Sequence, residues 1–579
     1  MASLIRDSAF GHLLRFVLGS HVLPHSDEID PSTAWRNAVH RESSLKGKRT
    51  PSAGSEHFDA QRRELQITRD EGRYVSSAIS EVISPSASDS LRIDGHKNRA
   101  SIERAEPGTD HFLVGWYSDG DLDNPQNWSQ GKKLWILFQT CFFTWSIFIG
   151  SSIYTAGLTD VEEKFGVSDV AATLGLTCFV AGYGIGPMLW APLSEIPQVG
   201  RMPIYIGTLI VFVLFQVPTA LARNFGMLLA FRFLTGFFGS PVLANGGATI
   251  ADIYNAQHRT YAITMWGLVA SLGPIVGPLV GGFAAAAKGW TWTIWEIMWL
   301  SGFALVFLFF FFPETSPSNI LYRRAHRLRK ATRNQNLRSQ SELDAADQNF
   351  SEVITDALVR PITLNFLEPI VLALNLYIAL VYALLYLWFE SFPIVFIGIY
   401  GFSESTVGLS YLGILVGALV VTPVFFVYLK YVQEPMHSEN GSLKPEARLP
   451  VAIICAFVLP ICLFWFGWTS RSDVPWIVPV IGSSLFGFSV LPIFNVVLNY
   501  LADAYPQYAA SVLAGNDLMR AAFGAAFPLF ARAMYHRLGV GWASSLLGFL
   551  ACAFIPIPII LFRYGERIRL ASRRARRDY

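Results

Sequence analysis

The chain divides into two regimes. Up to about residue 132 it is polar, charged and Ser-rich with no sustained period. From Leu134 onward, long apolar runs are separated by short polar breaks. Each run is roughly 20 residues, enough for a helix to cross a bilayer core of about 30 Å. The pattern predicts spans at about 134–156, 171–191, 203–222, 227–250, 261–286 and 294–312. A polar interval follows, then spans at about 369–392, 406–429, 450–469, 475–499, 510–534 and 542–562. The predicted fold is an all-α membrane protein of twelve helices in two six-helix halves. Residues 1–132 read as a largely disordered tail, 133–313 as the first half and 314–368 as a central loop. Residues 369–563 read as the second half and 564–579 as a basic tail. Near the start, Leu4, Ile5, Leu13, Leu14 and Phe16 to Leu18 suit a short amphipathic helix on a membrane surface. Arg6, His12 and Arg15 interrupt that apolar run, which argues against a cleaved signal peptide.

The fifth span departs from a uniform apolar run. Gly273, Gly277 and Gly281 recur every four residues, with Pro274 and Pro278 beside two of them. On a helix these glycines form a smooth ridge that lets another backbone approach, while each proline removes an intrahelical hydrogen bond and bends the helix. Such a helix suits moving machinery, and its expected place is the interface where the two halves meet.

Composition agrees with a lipid environment. The chain has 579 residues, 52% hydrophobic and only 15% charged, against about 25% charged in water-soluble domains. A net charge of +2 is too balanced to imply a nucleic-acid partner. Cys141, Cys178, Cys455, Cys462 and Cys552 lie inside apolar runs without metal-ligand spacing and read as small buried hydrophobes.

Charge sets the expected orientation. Arg323, Arg324, Arg327, Arg329, Lys330, Arg333 and Arg338 crowd the central interval, and seven arginines from Arg563 to Arg577 crowd the tail. The loop after the first span instead holds Asp160, Glu162, Glu163 and Asp169 against Lys164. Positive loops stay inside, so both termini and the central loop are expected in the cytosol. The sequons at Asn127, Asn349 and Asn440 then fall on the cytosolic side and read as chance matches. Trp290, Trp292, Trp295 and Trp299 suit the opposite headgroup region.

Local segments carry a resemblance. Ala191 to Pro203, APLSEIPQVGRMP, joins the second and third predicted spans. It resembles the signature loop of the major facilitator superfamily, with Glu195 as the acid and a longer segment before Gly200-Arg201. The opening MASLIRDSAFG, Asp123 to Ser129, Tyr386 to Pro393 and Tyr505 to Ala510 resemble its fungal twelve-span drug:proton antiporters, the azole- and benomyl-exporting branch. The resemblance implies two repeated halves working by alternating access. It makes Arg232, in the fourth span, the arginine linked to proton coupling, and the Gly-Pro stripe of the fifth span a mark of exporters.

Physical reasoning adds candidates beside it. A buried charge such as Arg232 costs roughly 2.5–3.5 kcal/mol on insertion scales and implies a compensating role. A carboxylate near it would exchange protons, and Glu390 or Glu296 are the candidates. Glu195, Gly200, Arg201 and Asp252 suit a conformational gate. Tyr386, Asn495 and Asn499 are candidates to line a substrate cavity, and Asp517 with Arg520, three apart, can pair with each other. No G-x-x-x-x-G-K-[ST] loop, nucleophile elbow or metal cluster occurs, so the expected energy source is a proton gradient without a cofactor. The expectation is a monomeric, non-enzymatic plasma-membrane exporter of small hydrophobic or aromatic compounds. The alternatives are an exporter of an endogenous metabolite, a polyamine or nutrient carrier, which the few acids in the spans disfavour, and a non-transporting receptor.

Overall fold

In a computed structural model, residues 2–19, 21–29, 39–41, 112–346, 350–436, 443–572 and 574–577 are described. The first six spans are Gln130–Ser152, Asp169–Glu195, Arg201–Ala220, the pair Phe225–Gly239 and Pro241–Ile253, Ala256–Lys288, and Thr291–Phe311. The next four are Pro369–Phe396, the pair Glu404–Ser410 and Leu412–Tyr428, Leu449–Thr469, and Ile477–Ala504. Among the described residues, eleven helical stretches are long and apolar enough to span a membrane, and the last of them, Ala509–Ala571, runs for 63 residues. A single helix of that length would reach about 95 Å, three times a bilayer core. Gly539, at φ 73° and ψ 162°, breaks it into the eleventh and twelfth spans. Glycine adopts that backbone without a Cβ clash.

Helix starts carry the residues that satisfy free N–H groups. Ser168 accepts from Ala171 N, and Asn224 accepts from Met227 N at 2.7 Å. Helix contacts then repeat between halves. First packs on fifth, second on fourth, and third on fourth and sixth; seventh packs on eleventh, eighth on tenth, and ninth on tenth and twelfth. Across the halves, second meets eleventh and fifth meets eighth, again as equivalent pairs. The most apolar stretch of the first and seventh spans is 83% buried, that of the sixth only 28%. The first and seventh are therefore central, and the sixth faces lipid.

Both termini and the central connection lie at one end of the bundle, called here the connection end; the other is the far end. At the connection end the described parts of the N-terminal region and of the central interval are folded, with a helix at Ala9–Leu18 where an amphipathic one was expected. Helices Ala2–Arg6, Ala9–Leu18 and Ser26–Ile29 pack beside helix Pro317–Thr332, and Phe10 lies on Phe309 and Phe310, ring centroids 6.2 and 4.8 Å away. Strands β1 (Val39–Arg41), β2 (Phe112–Val114) and β3 (Leu337–Ser339) form a small sheet, antiparallel then parallel. Arg324, fully buried, bonds Asp121 at 2.8 Å and Asp123 at 2.7 Å and stacks on Tyr117. Arg327 pairs with Asp27, and Arg329 with Glu342. These arginines were legible only as a topology signal because their acids lie up to 300 residues away in sequence. Asn127 is built into the same layer, donating to the carbonyls of Asp119 and Asp121. Residues 42–111, with Asn349 and Asn440, lie outside the described residues.

His12 reports on this layer. Arg323 donates to its Nε2 at 2.6 Å, so that nitrogen must be an unprotonated acceptor. Burial, with Arg323, Arg15 and Arg327 nearby, pushes its pKa down to about 3. A released His12 titrates near 6.5, so docking is unaffected above that pH and weakens as pH falls below it, by roughly 2 kcal/mol at pH 5. Amide exchange in 9–18 should therefore accelerate between pH 7.5 and pH 5 beyond its intrinsic rate change. His12→Gln should remove about half of that acceleration, because burial and two of the same arginines also hold His25 well below the usual imidazole range.

Candidate functional site

At the far end an ion cluster joins the two halves. The helix Leu158–Phe165 and the start of the second span bring Glu162 and Asp169 from the first half. Arg532 reaches them from the eleventh span at 3.4 and 3.3 Å and bonds Glu390 of the seventh span at 2.8 Å. Thr173 contributes a long contact, 3.5 Å, to the same carboxylate. Glu390 is 1% exposed as a side chain, whereas Asp169 is 57% exposed, so the cluster runs from the surface into the bundle. One guanidinium serves three carboxylates, leaving the ensemble short of positive charge when all are ionised.

Deeper in, the halves touch through hydroxyls. Tyr386 donates to Ser151 of the first span at 2.8 Å, and its oxygen lies 3.2 Å from the hydroxyls of both Tyr183 and Tyr382. Tyr183 and Tyr382 also contact each other through oxygen. Arg520 pairs with Asp517 and lies over the rings of Tyr382 and Phe494 at 4.9 and 4.8 Å. Thr177 donates to the Ala525 carbonyl at 2.8 Å across the interface, and Gly184 abuts Ala521. Tyr386 is thus fully buried between the halves. Asn495 likewise bridges halves, donating to Thr264 of the fifth span at 2.6 Å, and Asn499 braces it by donating to the Asn495 carbonyl at 2.8 Å.

Arg232 departs from the expected arginine–carboxylate pair. It is fully buried within the first half and donates to the main-chain oxygens of Gly150 and Gly175, both at 3.0 Å. Its guanidinium lies between Tyr154 and Phe179, 4.7 and 4.5 Å from the ring centroids. A Cβ on Gly175 would come within 2.5 Å of the Tyr154 ring, so that glycine makes room for the stack. Among the described residues Arg232 has no carboxylate partner; Glu390 belongs to Arg532 instead. Glu296, the other candidate, has a buried Oε2 without a hydrogen bond.

At the connection end, charges pair within each half. Arg201 bonds Asp252 at 2.6 Å, and the equivalent Arg448 bonds Asp503 at 2.8 Å. Glu314, just after the sixth span, accepts from the N–H groups of Arg201 and Met202 at 3.1 and 3.2 Å and so caps the third helix. Gly200, at φ 79°, leaves room for it, since a Cβ there would sit 2.5 Å from Glu314 Oε2. Glu195 is exposed and makes no hydrogen bond or ion pair among the described residues. Of the expected gate residues, Gly200, Arg201 and Asp252 meet here with Glu314, and Glu195 makes no direct pair but lies close enough to Arg201 to interact with it through space.

The glycine ridge of the fifth span faces its own half. A Cβ on Gly273 would meet Phe148 at 2.6 Å, one on Gly277 would strike Ser152, and one on Gly281 would meet the Ile153 carbonyl at 2.6 Å. All three contacts are with the end of the first span, which corrects the expectation that the ridge forms the joint between halves. The neighbouring face of the same helix does meet the second half: Gly408 packs on Leu279, and Gly282 on the Glu404 carbonyl. Pro274 and Pro278 stand inside this helix, as read from the sequence.

The sequence reading missed Arg532, Tyr183, Glu314 and the Arg448–Asp503 pair. Arg532 carried the same signal as Arg232, a lone charge in an apolar run. Among the described residues no three His, Cys, Asp or Glu converge as metal ligands. The interface itself presents hydroxyls, amides, aromatic faces and arginines.

Two membrane-spanning halves with repeated packing, meeting across a polar interface, define a transporter. The profile of the Major Facilitator Superfamily matches residues 140–528, and the chain belongs to that family of transporters. It is 43% identical to Fluconazole resistance protein 1 of Saccharomyces cerevisiae over 83% of this chain and 87% of that protein. It is 38% identical to the Cycloheximide resistance protein of Candida maltosa over 99% and 100%. The proton:xylose symporter XylE of E. coli shares the fold at a TM-score of 0.54 and 16% identity, over 76% of this chain and 96% of that one.

Substitutions at two positions test these packing roles. Arg232→Ala and Arg232→Lys should both lower transport by at least about tenfold with surface expression retained, because an ammonium cannot bridge two carbonyls while stacked between rings. Unchanged transport in Arg232→Lys would show that charge alone suffices. Gly277→Leu should insert normally yet unfold at a lower temperature and transport poorly, since overpacking costs about 1–3 kcal/mol or more.

Proposed function

We propose that the chain exports drugs and other toxic hydrophobic small molecules across the plasma membrane in exchange for protons, by alternating access. The resistance proteins among its relatives support the cargo class. The basic connection end supports cytosolic termini, with the far end outside.

The observation that carries the coupling is the cross-half cluster of Arg532 with Glu390, Glu162 and Asp169. These contacts hold the far end shut. Protonation of a carboxylate weakens its attraction for Arg532, so the charge state of the cluster sets how tightly the halves are held; taking up the proton from outside and giving it up to the cytosol couples that change to cargo moving the other way. Shifting a two-state equilibrium from one side to the other needs about 5.5 kcal/mol of differential stabilisation. Several charge-assisted bonds can supply that in a site shielded from water. The tyrosine hydroxyls and the Asn495–Thr264 bridge part at different stages of the cycle and offer donors and acceptors to a cargo otherwise held by aromatic faces.

Expression in a host lacking its own pumps tests the reading. Fluconazole or cycloheximide should accumulate several-fold less in expressing cells, and a protonophore should abolish the difference. Equal accumulation, or protonophore-insensitive efflux, would sink it. Glu390→Gln should retain folding and surface expression while flattening the dependence of efflux on external pH; an unchanged pH profile would remove Glu390 from coupling.

A further inference from the structure

The N-terminal helix and the central connection enclose a cavity of about 320 Å³ that transport across the interface does not use. Its lining includes Arg15, Arg323 and Arg327 with His12, His25 and His326. We propose that it is a binding site for the phosphate-bearing headgroup of an anionic lipid in the adjacent leaflet.

Three observations support this. The first is charge. Arg15 is offset by Glu28 and Arg327 by Asp27. Arg323 has no ion pair among the described residues, and its one hydrogen bond goes to the neutral ring of His12. The cavity therefore holds, beside two more, a guanidinium that makes no direct ion pair and feels Glu314 and Asp7 only at longer range, an arrangement suited to forked recognition of phosphate oxygens. The second is depth. Phe10 packs on Phe309 and Phe310 at the end of the sixth span, which holds helix Ala9–Leu18 at the boundary of the apolar bundle. The third is the face that helix presents. Leu13, Phe16, Val17 and Leu18 are 52–88% exposed beside its polar side, the arrangement of a helix lying in a membrane interface. A ligand reaching the basic cavity alongside those side chains is a lipid whose acyl chains remain in the bilayer. The volume lies at the low end of the roughly 300–1,000 Å³ of small-molecule sites, room for a headgroup and not for a whole lipid.

The full-length protein in phosphatidylcholine nanodiscs, with or without a phosphatidylinositol phosphate, provides the test. The doped discs should raise the unfolding temperature and slow amide exchange in 9–18 and 317–332, and native mass spectrometry should show the anionic lipid retained. Arg323→Gln should weaken retention about fivefold, the effect of one surface arginine, and Arg323→Lys should keep most of it. Amide exchange in the spans verifies that both variants are folded. Equal behaviour in doped and undoped discs, or undiminished retention by folded Arg323→Gln, overturns the proposal. So does an equal temperature shift with inorganic phosphate while the lipid is not retained, because the ligand would then be a soluble anion.

Discussion

Helices in lipid gain little from burying apolar side chains against one another, because the surrounding acyl chains are equally apolar; close packing must hold them together instead. In this chain that packing runs through glycine. Gly182 and Gly236 let the second and fourth spans approach main chain to main chain, and Gly413, Gly417 and Gly487 do the same for the eighth and tenth. Gly273, Gly277 and Gly281 join the fifth span to the first. The polar features follow from these approaches. Arg232 reaches two carbonyl oxygens because three helices pass close to it, and Tyr154 can stack on it because Gly175 has no side chain.

The ends of the bundle use charge differently. At the connection end, Arg201–Asp252 and Arg448–Asp503 tie helices within each half. At the far end, Arg532 ties one half to acids of the other. A charged contact between the halves that can separate is what the proposed rocking requires, and the proposed proton coupling acts at that contact. The folded N-terminal segment lies outside this mechanical unit, against the lipid boundary at the connection end.

The twelve spans and their division into halves were legible because a bilayer imposes a length and an apolarity that can be measured along the chain. The eleven long helices and the twelve predicted spans differ only at Gly539, where the polar break His536-Arg537 marks the same boundary in sequence. The candidate residues were legible as unusual types in apolar runs: Arg232, Glu390, Asn495 and the Gly-Pro stripe all occupy buried, structurally consequential positions. Their partners were not. Arg232 pairs with main-chain oxygen, which leaves no trace in residue identity. Glu390 pairs with a residue 142 positions away, and Glu314, which caps the third helix, sits in a loop that reads as ordinary.

The sequence by itself determined the solvent, the number of crossings, the two-half plan and where charge and backbone freedom are concentrated, because each is a local property of composition and spacing. Tertiary structure decided which face of the fifth helix meets which half, which carboxylate holds which arginine, and that the N-terminal segment and the basic central connection fold into one layer. Those depend on how helices rotate and approach one another. Side-chain periodicity says that a helix has a face, but only packing assigns the neighbour that covers it.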